Sequence, residues 1–216
     1  MSMKKIIYGV MFSAMAGLTL LGCYPQGPEY VEDLDVVYTT YDEEYDFQAQ
    51  NTFALPDKIV VDVEIDGGDT TWIYMKDAFA TPILNSIVAN MEANGWERLP
   101  NDVDGNPDLD ADVVLSPALI SSTTYYYSYW YDWYYGWYGG YWGWYYPPYY
   151  SVSSVTTGSM VIVMADPGAA DDSPIGKSKA SWLAVANGVA TGYNDISRVT
   201  DAIDQAFEQS PYLKIN

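Results

Sequence analysis

The residues of this chain that could do chemistry are carboxylates, one thiol and an unusual store of aromatic rings. The segment Asp102, Asp104, Asn106, Asp108, Asp110, Asp112 sets oxygen ligands at alternating positions, the arrangement by which loops hold calcium. Its register departs from an EF-hand type loop. With Asp102 as the first ligand, Pro107 stands where glycine is needed and Val113 where an acid is needed. A solvated turn is the plainer reading of Asp102, Asp104, Asn106 and Asp108, and neither a metal nor another cofactor is expected. Histidine is absent and Cys23 is the sole cysteine. No Ser-His-Asp or Cys-His relay can be assembled, no thiolate or imidazole zinc site can be built, and no internal disulfide can form. A catalyst made from this inventory would be a carboxylate-dependent hydrolase, for instance a glycosidase with two acids. Among 29 acids no spacing singles out a pair, so the chain reads as a protein without catalytic activity.

The aromatic rings concentrate in residues 125–150, which hold 13 Tyr, 5 Trp, 4 Gly, 2 Pro, one Ser and the single charge Asp132. Tyr and Trp offer rigid faces with a polar edge, and mixed with Gly and Ser they form the palette of adaptable binding loops. Tyr127, Trp130, Trp133, Trp137, Trp142 and Trp144 are the candidate contacts, either for a glycan or other ligand or for the lipid interface, where such rings are enriched. A Tyr/Trp hairpin collapsed over a sheet would be a purely structural use of the same rings.

Residues 1–21 open with Lys4 and Lys5 and continue as an apolar run from Ile6 to Leu21, a signal-peptide pattern. The run falls short of the ~20 residues a spanning helix needs. It ends in Leu20, Leu21, Gly22, Cys23, which resembles the lipobox of bacterial lipoproteins. That resemblance implies a signal peptide over 1–22, cleavage before Cys23 and lipid attachment to its sulfur. Two or more acyl chains, at about 0.8 kcal/mol per buried CH₂, anchor firmly where one is marginal. Cys23 is then a hook and not a nucleophile. Tyr24 in place of Asp implies, by analogy with other lipoproteins, passage to the outer membrane, on either its periplasmic or its surface face. Residues 23–34, with Pro25, Gly27, Pro28, Glu29, Glu32 and Asp33, form the acylated tether.

The formal charge is −20. Removal of residues 1–22 takes away two lysines and no acid, leaving seven basic residues against 29 acidic ones. Such a surface repels phosphate backbones, so nucleic acid is excluded as a partner. The remaining partners are the membrane, reached through Cys23, and an envelope protein or a glycan.

One domain, residues 35–216, must position these features, and its 49 % hydrophobic content can fill one core. Residues 35–41 read as a first strand, followed by an acidic turn through Asp42, Glu43, Glu44 and Asp46. A second extended segment takes in Phe47 and residues 51–56. Residues 59–65 alternate as a half-buried strand, and Gly67 and Gly68 turn it. Residues 71–75 are either its hairpin partner or part of a surface insertion. Thr81 and Pro82 open a helix whose apolar face is Ile83, Leu84, Ile87, Val88 and Met91, with Asn94 and Gly95 as its left-handed cap. Residues 96–99 leave as a short extended piece. Two long strands, one through residues 113–120 and one through Met160, Ile162 and Met164, flank the aromatic insert. A last strand runs through Trp182, Ala184 and Ala186. A helix over 193–209, with Asn194 as cap and Asp195 at its N-terminal end, stops at Pro211. The order argues α+β: an antiparallel-rich sheet of about five to six strands with two helices packed on one face, plus the long Tyr/Trp/Gly-rich loop between middle strands.

Several segments together carry a second resemblance. They are Asp46, Phe47, Thr52, Phe53; the helix ending in Gly95, Trp96; Ala111, Asp112, Val113, Val114; Gly158, Met160, Ile162, Asp166; Trp182, Ala184, Gly188; and the final helix running into Pro211. In this order they resemble a bacterial lipoprotein family, of Bacteroidetes and proteobacterial type, known by a domain of unknown function (4136). Its members also place a Tyr, Trp and Gly-rich stretch between the two middle strands. Residues 59–75 are an extra excursion here, and the tail has Ser-Pro where the family more usually has Phe-Pro. The resemblance implies the α+β fold and an envelope lipoprotein of unspecified role, and supplies no catalytic residues. The chain is therefore expected to be an outer-membrane lipoprotein serving envelope structure, assembly or interaction, with ligand or glycan binding by the aromatic stretch as the alternative.

Overall fold

In the computed structural model, residues 36–66, 69–120, 158–168, 180–190 and 196–215 are described. All belong to the compact unit Leu34–Asn216, the other unit being Met1–Asp33. In chain order the elements are β1 (Val36–Tyr41), a 3₁₀ turn (Phe47–Ala49), β2 (Thr52–Ala54), β3 (Val60–Asp66), β4 (Asp69–Tyr74), α1 (Asp77–Ala93), β5 (Glu97–Arg98), β6 (Val113–Ile120), β7 (Ser159–Ala165), β8 (Ala180–Asn187), α2 (Ile196–Glu208) and a closing 3₁₀ turn (Pro211–Leu213).

Among the described residues the sheet has eight strands, in the order β1-β8-β7-β6-β2-β5, with the β3–β4 hairpin joined to β6 beside β2. This corrects the expectation of five to six strands, mostly antiparallel. The sheet is mixed: β1, β8, β7 and β6 are antiparallel neighbours, whereas β2 and β3 both run parallel to β6, and β5 parallel to β2. The reason is the path of the chain. β2 and β3 are two pieces of one extended run along the same edge of β6, pairing Phe53 with Val113, Ala54 with Val114 and Val60 with Ala118. Pro56 lies in the gap between them, and Pro117 of β6 falls between the two paired stretches. Proline lacks the N–H a ladder requires and is tolerated where pairing is interrupted. After β4 the chain crosses through α1 and returns as β5, the crossover that parallel pairing demands. Residues 71–74 thus belong to the hairpin partner β4, which joins the sheet through β3.

α1 begins at Asp77, one turn ahead of the expected Thr81–Pro82 start, and holds Pro82 inside. Pro82 has no N–H to reach the Ala78 carbonyl, and Ala78 lies on the exposed side of the helix, where the loss of that bond costs least. Ala80, Ile83, Leu84, Ile87 and Met91 form the buried face. The helix ends as the sequence suggests. Gly95 takes φ +97°, its N–H donates to the Glu92 carbonyl at 3.0 Å, and the Trp96 N–H donates to the Met91 carbonyl at 3.1 Å, the paired bonds of a Schellman cap. In α2 the buried face is Val199, Ala202, Ile203, Ala206 and Phe207. Its expected capping residues Asn194 and Asp195, like the Gly67–Gly68 turn, lie outside the described residues.

Both helices cover one face of the sheet. There they meet Phe53, Val113, Leu115, Leu119, Met160, Ile162, Met164, Trp182 and Ala184 in a single cluster. The alternate residues point the other way and are equally apolar: Val60, Ala118, Ile120, Val161, Val163, Leu183 and Val185 form a second cluster to which neither helix contributes. β6, β7 and most of β8 are consequently buried throughout. Leaving six branched side chains in water would forfeit on the order of 10 kcal/mol, as much as the whole net stability of a domain.

The C-terminal segment is locked into the helix side of the core. The Trp96 indole N–H donates to the Leu213 carbonyl at 2.7 Å and the Trp182 indole N–H to the Ser210 hydroxyl at 2.9 Å, both buried. The Gln48 side chain donates to the Lys214 carbonyl at 2.6 Å, the Ile215 N–H donates to the Asn94 carbonyl at 2.9 Å, and Tyr212 stacks on Tyr41 at 3.8 Å. A Cβ on Gly95 would come within 2.9 Å of the Ile215 carbonyl oxygen. Backbone cannot yield there as a flexible side chain could, and the positive φ adds its own strain. Gly95→Ala should therefore cost about 2 kcal/mol or more, measured as a fall in the midpoint of thermal or urea unfolding; an unchanged midpoint would show that the tail does not press on the helix cap.

Candidate functional site

The aromatic stretch leaves β6 after Ile120 and rejoins at Gly158, and the described residues define its base. Gly158 has φ +86°, a conformation glycine adopts without penalty. Its N–H donates to the Ile120 carbonyl at 2.7 Å and its carbonyl accepts from the Ala190 N–H at 2.8 Å. The Ser159 hydroxyl donates to Asn187 Oδ1 at 2.7 Å and accepts from the Gly188 N–H at 3.1 Å. Three chain segments are thus bonded together where the stretch departs. Tyr127, Trp130, Trp133, Trp137, Trp142 and Trp144, and the lipid-attachment candidate Cys23, lie outside the described residues.

At the opposite end of β6 the Asp112 carboxylate accepts three hydrogen bonds on Oδ2: from the Asn51 and Thr52 N–H groups, each at 2.8 Å, and from the Thr52 hydroxyl at 2.9 Å. The same hydroxyl accepts the Asp112 N–H at 2.9 Å. This loop of bonds starts the parallel pairing of β2 with β6. Partial burial pushes the Asp112 carboxyl up, but the two N–H groups and the hydroxyl outweigh it and hold the group below the usual carboxylate range. Nearby, burial first, then the charges of Asp166 and Asp112, push the Tyr45 phenol well above its ordinary value. Tyr45 stays protonated at any physiological pH and cannot serve as a base.

The Asp-rich loop is organised by its own first residue. Asp102 Oδ1 accepts the N–H groups of Asp104 and Asn106, and Oδ2 accepts the Asn106 amide, all at 2.9 Å. The Asn106 side chain and backbone hold the exposed Asp102 carboxyl below its ordinary range. Asp108 accepts the Asp110 N–H at 3.0 Å. Among the described residues no group of three or more His, Cys, Asp or Glu side chains could hold a metal ion. Other acids are likewise bonded within the domain: Asp46 caps the 3₁₀ turn at Gln48, Asp57 pairs with Arg98 at 3.3 Å, and Asp204 accepts from Ser86 and Asn90, bridging α2 to α1. The Thr52–Asp112 link has no forerunner in the sequence reading, because its partners are 60 residues apart and neither carries a local signal for the other.

The family model described as Domain of unknown function (DUF4136) matches residues 37–212. The chain is similar to a crystal structure of a DUF4136 family protein from Bacteroides thetaiotaomicron, with 31 % identity and a TM-score of 0.62 over 83 % of this chain and 97 % of that one. Its likeness to a dodecamer of a PelC variant from Paraburkholderia phytofirmans is weaker, at 11 % identity and a TM-score of 0.37 over 84 % of this chain and 99 % of that one. No curated protein matches.

Two outcomes are expected from this geometry. Asp112→Asn removes the charge from a carboxylate whose lowered pKa contributes stability above about pH 5, a contribution lost as the pH falls through the lowered value. The variant should be less stable at pH 7 by about 1–2 kcal/mol, and the gap from the wild type should narrow below about pH 4; urea unfolding at both pH values checks this. Because Asp102 already spends its oxygens on its own loop, millimolar calcium should leave the unfolding temperature unchanged, and a calcium-dependent rise would restore the metal reading.

Proposed function

The chain belongs to the DUF4136 family, and from that premise we propose that it is a noncatalytic lipoprotein of the bacterial cell envelope. In this reading it is held in the outer membrane through lipid on Cys23, and its α+β domain is a rigid scaffold for structural or assembly contacts. The observation that carries the noncatalytic reading is where the capable side chains end. Asp112, Asp102, Asp46, Trp96, Trp182 and Ser159 are each engaged by hydrogen bonds within the domain. The stretch 125–150 is the remaining concentration of recognition chemistry in the sequence, so the partner is an envelope protein, or in the alternative reading a glycan, that meets Tyr and Trp rings.

The anchor is tested in cells fed a clickable fatty acid. Wild-type protein should take up the label and sediment with outer membranes, while Cys23→Ser should stay unlabelled and be recovered in the soluble fraction. Wild-type protein without label, or Cys23→Ser labelled as strongly as wild type, would contradict the anchor.

A further inference from the structure

We propose that the aromatic stretch 125–150 is the third layer of the domain, docked on the face of β6, β7 and β8 that the helices leave uncovered. Four observations lead there. The residues of that face, Val60, Ala118, Ile120, Val161, Val163, Leu183 and Val185, are at most 9 % exposed, yet the partly buried hydrophobic side chains that pack against them among the described residues are three, Trp72, Tyr74 and Ala180, and neither helix is among the contributors. The cover therefore comes from the same chain. Residues 121–157 leave and rejoin the sheet at one end of β6 and β7, where the Gly158 N–H meets the Ile120 carbonyl at 2.7 Å, so both ends start at the rim of this face. They are long enough: at ~3.3 Å per residue two passes along strands of eight and seven residues use fewer than half of them. Their composition also suits an apolar floor, with 13 Tyr, 5 Trp and one charge in 125–150.

The other segments outside the described residues suit it less. Residues 169–179 hold Asp171, Asp172, Lys177 and Lys179 with Ile175 as their one large apolar side chain, and residues 24–34 are the acidic, proline-containing tether. The part of the floor formed by β6, β7 and β8 is about 15 Å wide at ~4.8 Å per strand, and Val60 of β3 extends it at the β6 edge. A few rings cover it, since each buries about 150–250 Å². The stretch has many more, so one set of rings packs inward and the surplus faces outward as an aromatic surface. This inference does not depend on the lipid anchor and can fail without it.

A photo-crosslinking residue placed at Val185, on the uncovered face, in the full chain tests the docking. A second placed at Val37, whose side chain packs into the helix-side core, reports whether the domain has folded. With Val37 probes captured by helix-side peptides, Val185 probes should form most of their adducts with residues 125–150 of the same molecule. Adducts mainly with residues 24–34 or 169–179, adducts between molecules, or no adducts would overturn the proposal. Replacing residues 122–156 by a short Gly-Asn turn should then lower the unfolding temperature by many degrees and raise binding of a hydrophobic dye several-fold; a variant as stable and as dye-silent as wild type would overturn it equally.

Discussion

A sheet whose three central strands are apolar on both faces cannot stand in water with helices on one side alone. That constraint shapes the rest of this domain. β6, β7 and β8 carry Leu115, Ile162 and Ala184 to the helices and Ala118, Val161 and Val185 away from them. Period-two alternation is therefore present in the backbone but absent from the polarity of the sequence, the mark of strands buried on both sides. The two helices satisfy the first face through one shared stripe of aliphatic residues. The second face sets the demand that the rest of the chain has to meet.

Around this core the polar side chains act as fasteners. Asp112 binds the start of β2 to the start of β6, and Ser159 binds β7 to the turn after β8. The indoles of Trp96 and Trp182 hold the tail against the ends of both helices. Each is a donor or acceptor that would be expensive to leave unpaired in its surroundings, and each has its partner far along the chain. These fasteners include Trp96, Asp112 and Trp182, residues through which the sequence resembles its family. Their shared chemistry is that of holding a fold, which is what supports the proposal that the domain is a scaffold.

Much of the architecture was legible in the sequence because it is written in local periodicity and turn chemistry: the strand through Met160 and Ile162, the apolar stripe of α1, and the Asn94–Gly95 cap that shapes its exit. The misreadings have physical causes. Thr81 and Pro82 carry the signature of a helix start, yet Ala80 packs into the core and draws one more turn into the helix. Strand direction is not encoded in alternation at all, so the parallel placement of β2, β3 and β5 became visible only from pairing with β6. The same holds for Asp112, whose Asp-rich neighbourhood suggests a ligand loop while its partners lie on a strand far away in sequence. The rings proposed to contact ligand or membrane fall outside the described residues, so the base of that stretch, and not the rings, is what the fold locates.

Shielding of the second sheet face by the protein itself is the point on which everything else turns. Hydroxyl-radical footprinting of the purified full chain measures this directly, with the fully exposed Val103 (101 %) as internal reference. Val161, Val163, Leu183 and Val185 should remain unoxidised at doses that saturate Val103. Oxidation of these four residues at the rate of Val103 would contradict the shielding, because it would mean that the face is open to water.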